Sequence, residues 1–575
     1  MSLRLLIIFF IWTIFHIWSM NLNEVLKVAD SFAYLQMSHY LTNISIEWLG
    51  SGWFGFFYSL PIAFIELFTK DGFLAGQIVN IFLFNISAYT LYKISQKFLW
   101  KDWSLWVIAL FFLSPTLLHF NIHVLSENIY IPLFLILVYQ LLEYVKSPNI
   151  SRTLCIGGII GCLYLTRAEA FIYILSIFGI ALTLLVQKKL SVQQFVSYGV
   201  VFLLGFFFFV SPYLYHLHNL TGEWGLTNKG ASNLRQAELR GIDKMDDAGF
   251  EQAVAELTDD KHHLIAGFAG GMKYDTPQIK WSLPSFVTKD PLSFIQRVLK
   301  NQKKLLTRNL PEIFLGKAPS LYFSNDSRFK WSVLLLIFSS VPILILLYGL
   351  YKIYKKQKDF FIIYISLFTP ALVFFTLFFT LNRYFLVFLP LMFIVFMYGV
   401  QEISQTLKKK KSILSAILVS NFILVLLLSN LVYYNTEKEK DDYYSLKKEA
   451  GIWLNQYFQK RIYSECAILS SSFESEICEK KLQITTQNIM ERFPIVTYYS
   501  GSKNRWITPY EKENSSILEY AQYNNIDFLV VDSMDFLTYR PFLNNYLKET
   551  PEWMKQLKTF SNTTGQKVIL YQFKK

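Results

Sequence analysis

The chain has 575 residues, of which 53% are hydrophobic and 18% aromatic, with 55 Lys and Arg against 42 Asp and Glu. A mean hydropathy of +0.31 and apolar runs of about 20 residues, the length that crosses a bilayer, exclude an ordinary soluble protein. The net charge of +13 is scattered over short loops between these runs and forms no folded basic patch. We therefore expect the lipid bilayer, and no nucleic acid, as a partner.

Eleven segments are predicted to span the membrane. They are residues 4–20, 72–92, 103–121, 126–145, 152–166, 168–186, 195–216, 331–351, 359–380, 384–402 and 412–433. The first has no small-residue cleavage site after it and is interpreted as a retained anchor. A further apolar run, residues 53–68, is predicted as an interfacial or re-entrant helix on the outer face. A span there would put Lys93, Lys97 and Lys101 outside.

The positive-inside rule places the N-terminus in the cytoplasm, because the Lys and Arg clusters between the predicted spans then all face inside. The outer face receives two loops, residues 20–71 and 217–330. The chain thus divides into a multi-span domain, residues 1–433, and an extracytoplasmic α/β domain, residues 434–575. The residue usage hints at a bacterium, so the bacterial inner (plasma) membrane is the expected location.

The central outer loop contains an amphipathic pattern near residues 291–306. Phe294, Ile295, Val298 and Leu299 belong to one apolar helical face, and Arg297 and several lysines lie elsewhere around the helix. This pattern is typical of a helix lying on a membrane surface. A helix packed on the loop's own core explains the pattern equally well.

The C-terminal region carries 19 basic and 18 acidic residues, a balance that suits a compact water-soluble domain. Residues 443–457 have helical spacing, and so do residues 517–523. Strands are predicted at residues 467–469, 495–499, 526–531 and 568–573. Cys466 and Cys478 are predicted to form a disulfide, because the outer compartment is oxidising.

Four charged residues lie in or beside the apolar segments and fall on one predicted membrane face: Asp30, Glu127, Arg167 and Arg383. Ionisable groups at membrane depth are costly and are usually paired or functional. A guanidinium group can bind two phosphate oxygens at once, in a bidentate arrangement. The four residues therefore suit an anionic lipid-phosphate ligand. The alternatives are helix capping for Asp30, pairing with the helix dipole for Glu127, and headgroup contacts for both arginines.

A metal-like spacing also occurs, because His119, His123 and Glu127 are each four residues apart. On one continuous helix they would line up as three ligands. We expect the helix to break near residues 121–126, where one span ends and the next begins. The histidines are therefore weak candidates, no cofactor is required, and a divalent metal is left uncertain.

The order of short motifs resembles a known family. Ala29-Asp30-Ser31 follows the first span, and Ser126-Glu127, Leu165-Thr166-Arg167-Ala168-Glu169 and Arg383-Tyr384 follow in turn. This order is similar to that of the polytopic C-type-fold glycosyltransferases that use polyprenyl-phosphate-linked sugars. The protein mannosyltransferases and aminoarabinose transferases are the branch in question. The resemblance covers nearly the whole chain, including the outer C-terminal domain.

The resemblance implies an inverting sugar transfer on the outer face, with Asp30 as general base on an acceptor hydroxyl. Glu127 would then be a second catalytic residue, orienting donor or acceptor, and Arg167 and Arg383 would bind the donor phosphate. The acceptor class, a glycan, a lipid or a protein, is open. Many relatives carry a second acidic residue beside the aspartate, and Ser31 takes that place here. This departure puts a two-carboxylate or metal-bridged site in doubt.

The residues suit this chemistry independently, because a base must reach the attacking hydroxyl and cations help the phosphate to leave. A transporter of an envelope lipid or sugar precursor is the main alternative, since intramembrane charges also mark transport pathways. No inverted repeat, which would favour a transporter, is evident in the sequence. A non-catalytic scaffold for envelope assembly is the third possibility.

Overall fold

The structure is a computed structural model. It describes residues 3–21, 25–26, 28–44, 54–222, 224–227, 287, 291–316, 332–377, 382–406, 411–466, 488–491, 495–502, 504–506, 514–523, 525–533 and 541–574. Two predictions lie outside these residues. They are the strand at residues 467–469 and the disulfide, because neither Cys478 nor the side chain of Cys466 is described.

The first part of the chain is helical. Its helices are α1 (Leu3–Asn21), α2 (Ala29–Thr42), α3 (Ser59–Thr69), α4 (Gly72–Ser95), α5 (Lys101–Leu113), α6 (Pro115–Ile122), α7 (Glu127–Lys146), α8 (Ile150–Thr166), α9 (Ile172–Val186) and α10 (Val192–Thr221). A short 3₁₀ helix, Ala168–Phe171, joins α8 to α9.

The second helical part follows the central loop. Its helices are α11 (Pro291–Lys304), α12 (Leu310–Leu315), α13 (Ser332–Lys356), α14 (Lys358–Leu377), α15 (Asn382–Phe385), α16 (Leu389–Thr406) and α17 (Lys411–Cys466). A π-helical turn, Leu305–Asn309, connects α11 to α12. A 3₁₀ turn, Leu386–Phe388, connects α15 to α16.

Among the described residues, seven helices are long and apolar enough to cross a membrane. The predicted multi-span architecture is therefore confirmed, although the count of eleven is not. The predicted span 103–121 consists of α5 and α6, which meet at an angle of 55°. Pro115 opens α6, and Ser114 caps it by accepting a hydrogen bond from the Leu117 N–H, so the break follows from ordinary capping chemistry.

Two other predicted spans are short apolar helices, residues 3–17 and 150–166. The apolar run 53–68, which was predicted not to span, contains α3. Its 11 residues are too few for a helix to cross a bilayer. The segment Arg383–Thr406, which includes α16, lies at the centre of the bundle. Protein buries 94% of its most apolar stretch of 18 residues. A helix that is apolar on all sides suits that central place.

α11 exposes apolar side chains and buries a charged one, the opposite of a helix in a water-soluble loop. Its apolar residues Leu292, Ile295 and Leu299 are exposed, whereas Arg297 is buried. The Arg297 guanidinium donates to the carbonyl oxygen of Leu377 at 3.1 Å, at the C-terminal end of α14. Of the two interpretations of this helix, the exposed apolar side favours the one in which it lies on a membrane surface.

α17 is a single helix of 56 residues, roughly 84 Å long at 1.5 Å per residue. The sequence predicts a span over 412–433 and a separate helix over 443–457, and the structure joins the two without a break. The predicted domain boundary at residue 433 thus falls inside this helix. The polar second half of α17 packs on the C-terminal sheet.

The C-terminal sheet has five described strands in the order β2-β1-β3-β5-β4. They are β1 (Asn488–Met490), β2 (Asn504–Trp506), β3 (Phe528–Asp532), β4 (Met554–Ser561) and β5 (Lys567–Phe573). β1 pairs parallel with β2 and β3, and β5 pairs antiparallel with β3 and β4. α19 (Asn514–Tyr523) lies between β2 and β3 in the chain. The predicted small α/β domain is therefore present.

The predicted strand at residues 495–499 is wrong, because Ile495–Tyr499 forms a short helix, α18. The Glu491 carboxylate accepts hydrogen bonds from the Val496 and Thr497 N–H groups at 3.2 and 2.7 Å. An acidic side chain on the first N–H groups of a turn favours a helix there. This contact overrides the β propensity of a Val-Thr-Tyr-Tyr run.

Candidate functional site

The charged side chains of the bundle separate into two groups along α7. Glu143, near the end of α7, pairs with Lys97 and lies 3.7 Å from Arg152. Glu127, the first residue of α7, pairs with two arginines. Glu143 lies sixteen positions after Glu127 in this helix, about 24 Å at 1.5 Å per residue. The lysine-bearing ends and the predicted site therefore lie at opposite ends of the bundle.

Asp30 and Arg383 meet although 353 positions separate them in the chain. The Arg383 Nη1 donates to Asp30 Oδ2 at 2.7 Å. Asp30 lies in the first turn of α2, and the residue at the N-cap position is Val28. Asp30 is thus not the N-cap, and its carboxylate faces a guanidinium instead. Both side chains keep about a quarter of their surface exposed, 25% for Asp30 and 27% for Arg383.

Glu127 is the central anion of the site, with a side chain only 1% exposed. Its Oε1 accepts from Arg383 Nε and from Arg167 Nη1, both at 2.6 Å. The position in the first turn of α7 also favours a negative charge. The helix dipole alone would not stabilise this buried carboxylate, because a buried charge needs an opposite charge at close range. The two arginines provide that charge.

Arg167 is held more tightly than Arg383. It terminates α8 and donates through Nη1 to Glu127 and through Nε to Glu169 Oε1 at 2.6 Å. Its guanidinium carbon lies 5.8 Å from the ring centre of Tyr130 and 5.3 Å from that of Tyr384, within the range of cation–π attraction. With a side chain 11% exposed, Arg167 is a buried cation with two carboxylates.

A second layer of hydrogen bonds fixes the turn that presents Glu127. The Asn80 amide donates to the carbonyl oxygens of Asn121 and His123 at 2.8 and 2.9 Å. The Asn128 amide donates to the His123 carbonyl oxygen at 2.8 Å. Because these three side-chain hydrogen bonds to backbone carbonyls converge on this turn, α7 begins at a fixed place.

Tyr34 links the same turn to α2. Tyr34 is buried close to Ser126, and the Ser126 hydroxyl donates to Glu127 Oε2 at 3.4 Å. Tyr34 lies one helical turn beyond Asp30, so one helix carries both the aspartate and a support for the glutamate.

The expected break between His123 and Glu127 is present, since α6 ends at Ile122 and α7 begins at Glu127. The rings of His119 and His123 are in edge contact, with centroids 4.8 Å apart, and Glu127 is turned to the arginines. Within the described part of the chain, no group of three or more His, Cys, Asp or Glu side chains is placed to hold a metal ion.

All four predicted residues thus meet in one charge network, whose order is Asp30, Arg383, Glu127, Arg167 and Glu169. Glu169 was absent from the predicted set although it is two residues from Arg167. A carboxylate so close to a buried arginine is a signal that could have found it. The tyrosines Tyr34, Tyr130 and Tyr384 carry no such signal, because the chain is rich in aromatic residues.

Fold and charge network together define a multi-pass α-helical membrane protein with a C-terminal α/β domain and a polar site at one end of the bundle. Neither a protein-family model nor a curated protein sequence matches the chain. Among solved structures it is similar to the oligosaccharyltransferase AglB from Archaeoglobus fulgidus, in complex with an inhibitory peptide and a dolichol-phosphate. The identity is 12% and the TM-score 0.51, over 98% of this chain and 74% of that one.

A second structure of the Archaeoglobus fulgidus oligosaccharyltransferase, in complex with Zn and sulfate, has 10% identity and a TM-score of 0.53, over 95% and 69% of the two chains. ArnT from Cupriavidus metallidurans, bound to undecaprenyl phosphate, covers 99% and 98% at 9% identity, but its TM-score of 0.42 carries no argument. The AglB likeness shows the fold, that of the C-type glycosyltransferases, and the predicted fold class is confirmed.

Proposed function

We propose that the protein is a membrane glycosyltransferase that transfers a sugar from a polyprenyl-phosphate-linked donor to an acceptor hydroxyl, with inversion. The observation that carries this proposal is the double role of Arg383, which donates to Asp30 and to Glu127 at once. Such an arginine joins a partly exposed carboxylate, suited to act as a base, to a buried anchor. The fold supports the same class of reaction.

Asp30 is the general base in this proposal. It accepts the proton of the acceptor hydroxyl, the hydroxyl oxygen forms the new bond to the anomeric carbon, and the polyprenyl phosphate leaves with the electrons of the broken C–O bond. General-base assistance of this kind contributes roughly 10²- to 10⁴-fold. Glu127 is 1% exposed and serves to position the arginines. Asp30 and Glu169 are 25% and 22% exposed, and the family resemblance of the sequence favours Asp30 of these two as the base.

The total charge of the network and the donor stays the same through the reaction. Three carboxylates and two guanidiniums carry a net charge of −1, to which the donor phosphodiester adds another. When Asp30 takes the proton it becomes neutral, and Arg383 Nη1 loses its anionic partner. That N–H then turns to the phosphate oxygen that gains charge, so Arg383 stabilises the leaving group when this is needed most.

Arg167 has a different part. Because Glu127 and Glu169 both hold it and two tyrosine rings flank it, we assign it to keeping Glu127 ionised and aligned. The direct phosphate contact is assigned to Arg383, the more exposed arginine. A role of Arg167 in donor binding is then indirect, through the position of Arg383.

We further place the site and the C-terminal domain on the extracytoplasmic face of the bacterial inner membrane. Supporting this, Lys97, Lys189 and Lys356 all pair with acidic residues at helix ends, and Lys97 lies at the opposite end of the bundle from Glu127. Lysine-bearing ends face the cytoplasm under the positive-inside rule. A reporter that works only in the cytoplasm should be silent when fused after residue 575, and activity there would contradict this placement.

Incubation of the purified protein with polyprenyl-phosphate sugars tests the proposal directly, with release of the lipid phosphate as the readout. Asp30→Asn should insert and fold normally, bind the donor, and lose turnover by roughly 10²- to 10⁴-fold. Near-native turnover of Asp30→Asn would show that Asp30 is not the general base. Donor binding with no release by the unaltered protein, for every acceptor class, would favour the transporter instead.

A further inference from the structure

The short helix α18 of the C-terminal domain is fixed in place from two sides. Buried Glu491, which follows β1, accepts from the N–H groups of Val496 and Thr497. On the other side α17 approaches closely at Gly451, where an added Cβ would lie 2.7 Å from Tyr499 Cβ and 2.8 Å from the Val496 carbonyl oxygen. α18 therefore has little freedom to move relative to the sheet and α17.

The last two residues of α18 contact the outer loop on both sides of Asp30. The hydroxyl of Tyr499 accepts a hydrogen bond from the Leu26 N–H at 3.0 Å, just before α2. The ring of Tyr498 meets Phe32 edge to face, with centroids 6.0 Å apart, inside the first turn of α2. The two contacts thus bracket Asp30 at the entry to its helix.

Both tyrosine hydroxyls remain neutral at physiological pH. Burial raises the pKa of Tyr499 to about 12, and burial, reinforced by nearby Asp71, raises the pKa of Tyr498 further. The Tyr499 hydroxyl is therefore a stable hydrogen-bond partner for the Leu26 amide. The contact does not titrate where the protein works.

The opposite side of α2 is held by the membrane domain. Tyr34 packs edge to face on Phe54 and Tyr58, with ring centroids 5.7 and 5.3 Å apart. The Ser59 hydroxyl donates to the Tyr34 carbonyl oxygen at 3.0 Å. The first turn of α2, with Asp30 in it, is thus clamped between the bundle and the C-terminal domain.

We propose that Tyr498 and Tyr499 are positioning residues, through which the C-terminal domain sets the place of Asp30 against Arg383. The proposal rests on the function given above, in which Asp30 is the base. A base must lie within hydrogen-bond reach of the hydroxyl it deprotonates, and a displacement of about 1 Å can cost 10²-fold. The domain thereby acts on proton transfer without touching the reacting atoms.

Tyr499→Phe removes one hydroxyl and keeps the ring, so it is the sharpest variant. Turnover per folded molecule should fall roughly tenfold. The KM for the polyprenyl-phosphate sugar should be unchanged, because Glu127 still holds Arg383. Tyr498→Leu should show the same fall in turnover and the same unchanged KM. Tyr523→Phe, on the exposed surface of α19, is the control and should keep native turnover. An unchanged turnover of Tyr499→Phe and Tyr498→Leu would overturn the proposal.

Glu491 offers a rescue test, since Glu491→Gln keeps a carbonyl oxygen for the α18 amides and Glu491→Leu does not. Turnover should be largely retained by the first and reduced by the second. A purely structural role would instead lower the folded yield of both and leave turnover per folded molecule unchanged, which would contradict the proposal.

Hydrogen exchange separates this proposal from the function on which it rests. In Tyr499→Phe the Leu26 amide should exchange faster than in the unaltered protein, whether or not any sugar is transferred. Faster exchange in a protein without transferase activity would refute the proposed function and keep the clamp on α2. Unchanged exchange at Leu26 would refute the clamp even in an active enzyme.

Discussion

The two ends of the helical bundle both carry ion pairs, and they are built differently. At the lysine-bearing end the Lys189–Asp359 pair is partly solvated, with side chains 43% and 44% exposed. Glu143, which Lys97 and Arg152 share at that end, is 27% exposed. At the site end two arginines share Glu127, which is 1% exposed. Exposed pairs contribute little to stability, whereas a buried network must be complete to be tolerated.

The difference indicates which charges orient the protein and which perform chemistry. Lysines are strongly hydrated point charges and suit a loop that stays in water. Arginines form planar, multiple hydrogen bonds, so they suit a buried site in which one group binds two carboxylates. Replacing matched residues at the two ends therefore gives a graded set of expectations.

The largest effect should come from Glu127→Ala. It leaves the buried cation Arg167 with one carboxylate fewer and Arg383 with Asp30 alone, and should lower the free energy of unfolding by about 3 to 5 kcal/mol. The matched variant Glu143→Ala, at the other end of α7 with a side chain 27% exposed, should cost about 1 kcal/mol or less. Thermal unfolding in detergent measures both. Equal losses would mean that the two ends do not differ as described.

Arg383→Lys tests the shared guanidinium. A lysine cannot bridge Asp30 and Glu127 while also reaching a phosphate, so donor affinity should fall by about 1.5 to 3 kcal/mol, with turnover falling as well. Arg167→Lys should weaken donor binding less, because Arg167 is assigned to holding Glu127. Equilibrium binding of a polyprenyl phosphate ranks the two variants. A larger loss for Arg167→Lys would reverse the assigned roles.

Gly55→Ala probes the backbone contact that seats the outer loop beside the site. An added Cβ would lie 2.3 and 2.4 Å from the carbonyl oxygens of Leu165 and Thr166, next to Arg167. The loop must shift, at a cost of about 1 to 3 kcal/mol, and turnover should fall with it. Gly179→Ala, where nothing lies within 4 Å, is the control and should be neutral or slightly stabilising. Similar losses for both variants would argue against a tight contact at Gly55.

Lys189→Ala should have the smallest effect. Its partner Asp359 lies 3.7 Å away and is partly exposed, so the loss should be about 0.5 kcal/mol or less, decreasing further in salt. The same unfolding assay at low and high ionic strength checks this expectation. A loss comparable to that of Glu127→Ala would contradict the comparison of the two ends.

Much of the fold could be predicted from the sequence. Apolar runs of spanning length and the placement of Lys and Arg are local properties, and they indicated a multi-span protein with a soluble C-terminal domain. Residues 526–531 and 568–573 were predicted as strands and correspond to β3 and β5, because buried strands are continuous apolar runs. β4, whose residues Met554–Ser561 include the exposed Lys555 and the partly exposed Lys558, was not recognised.

The sequence by itself determined the membrane class and the chemical types available to the site: two carboxylates and two guanidiniums beside apolar segments. Only the tertiary structure decided that Arg383 bridges Asp30 to Glu127, that Glu169 completes the network, and that α18 is a helix touching the start of α2. These contacts join residues up to hundreds of positions apart. Their geometry follows from helix packing, which no local pattern encodes.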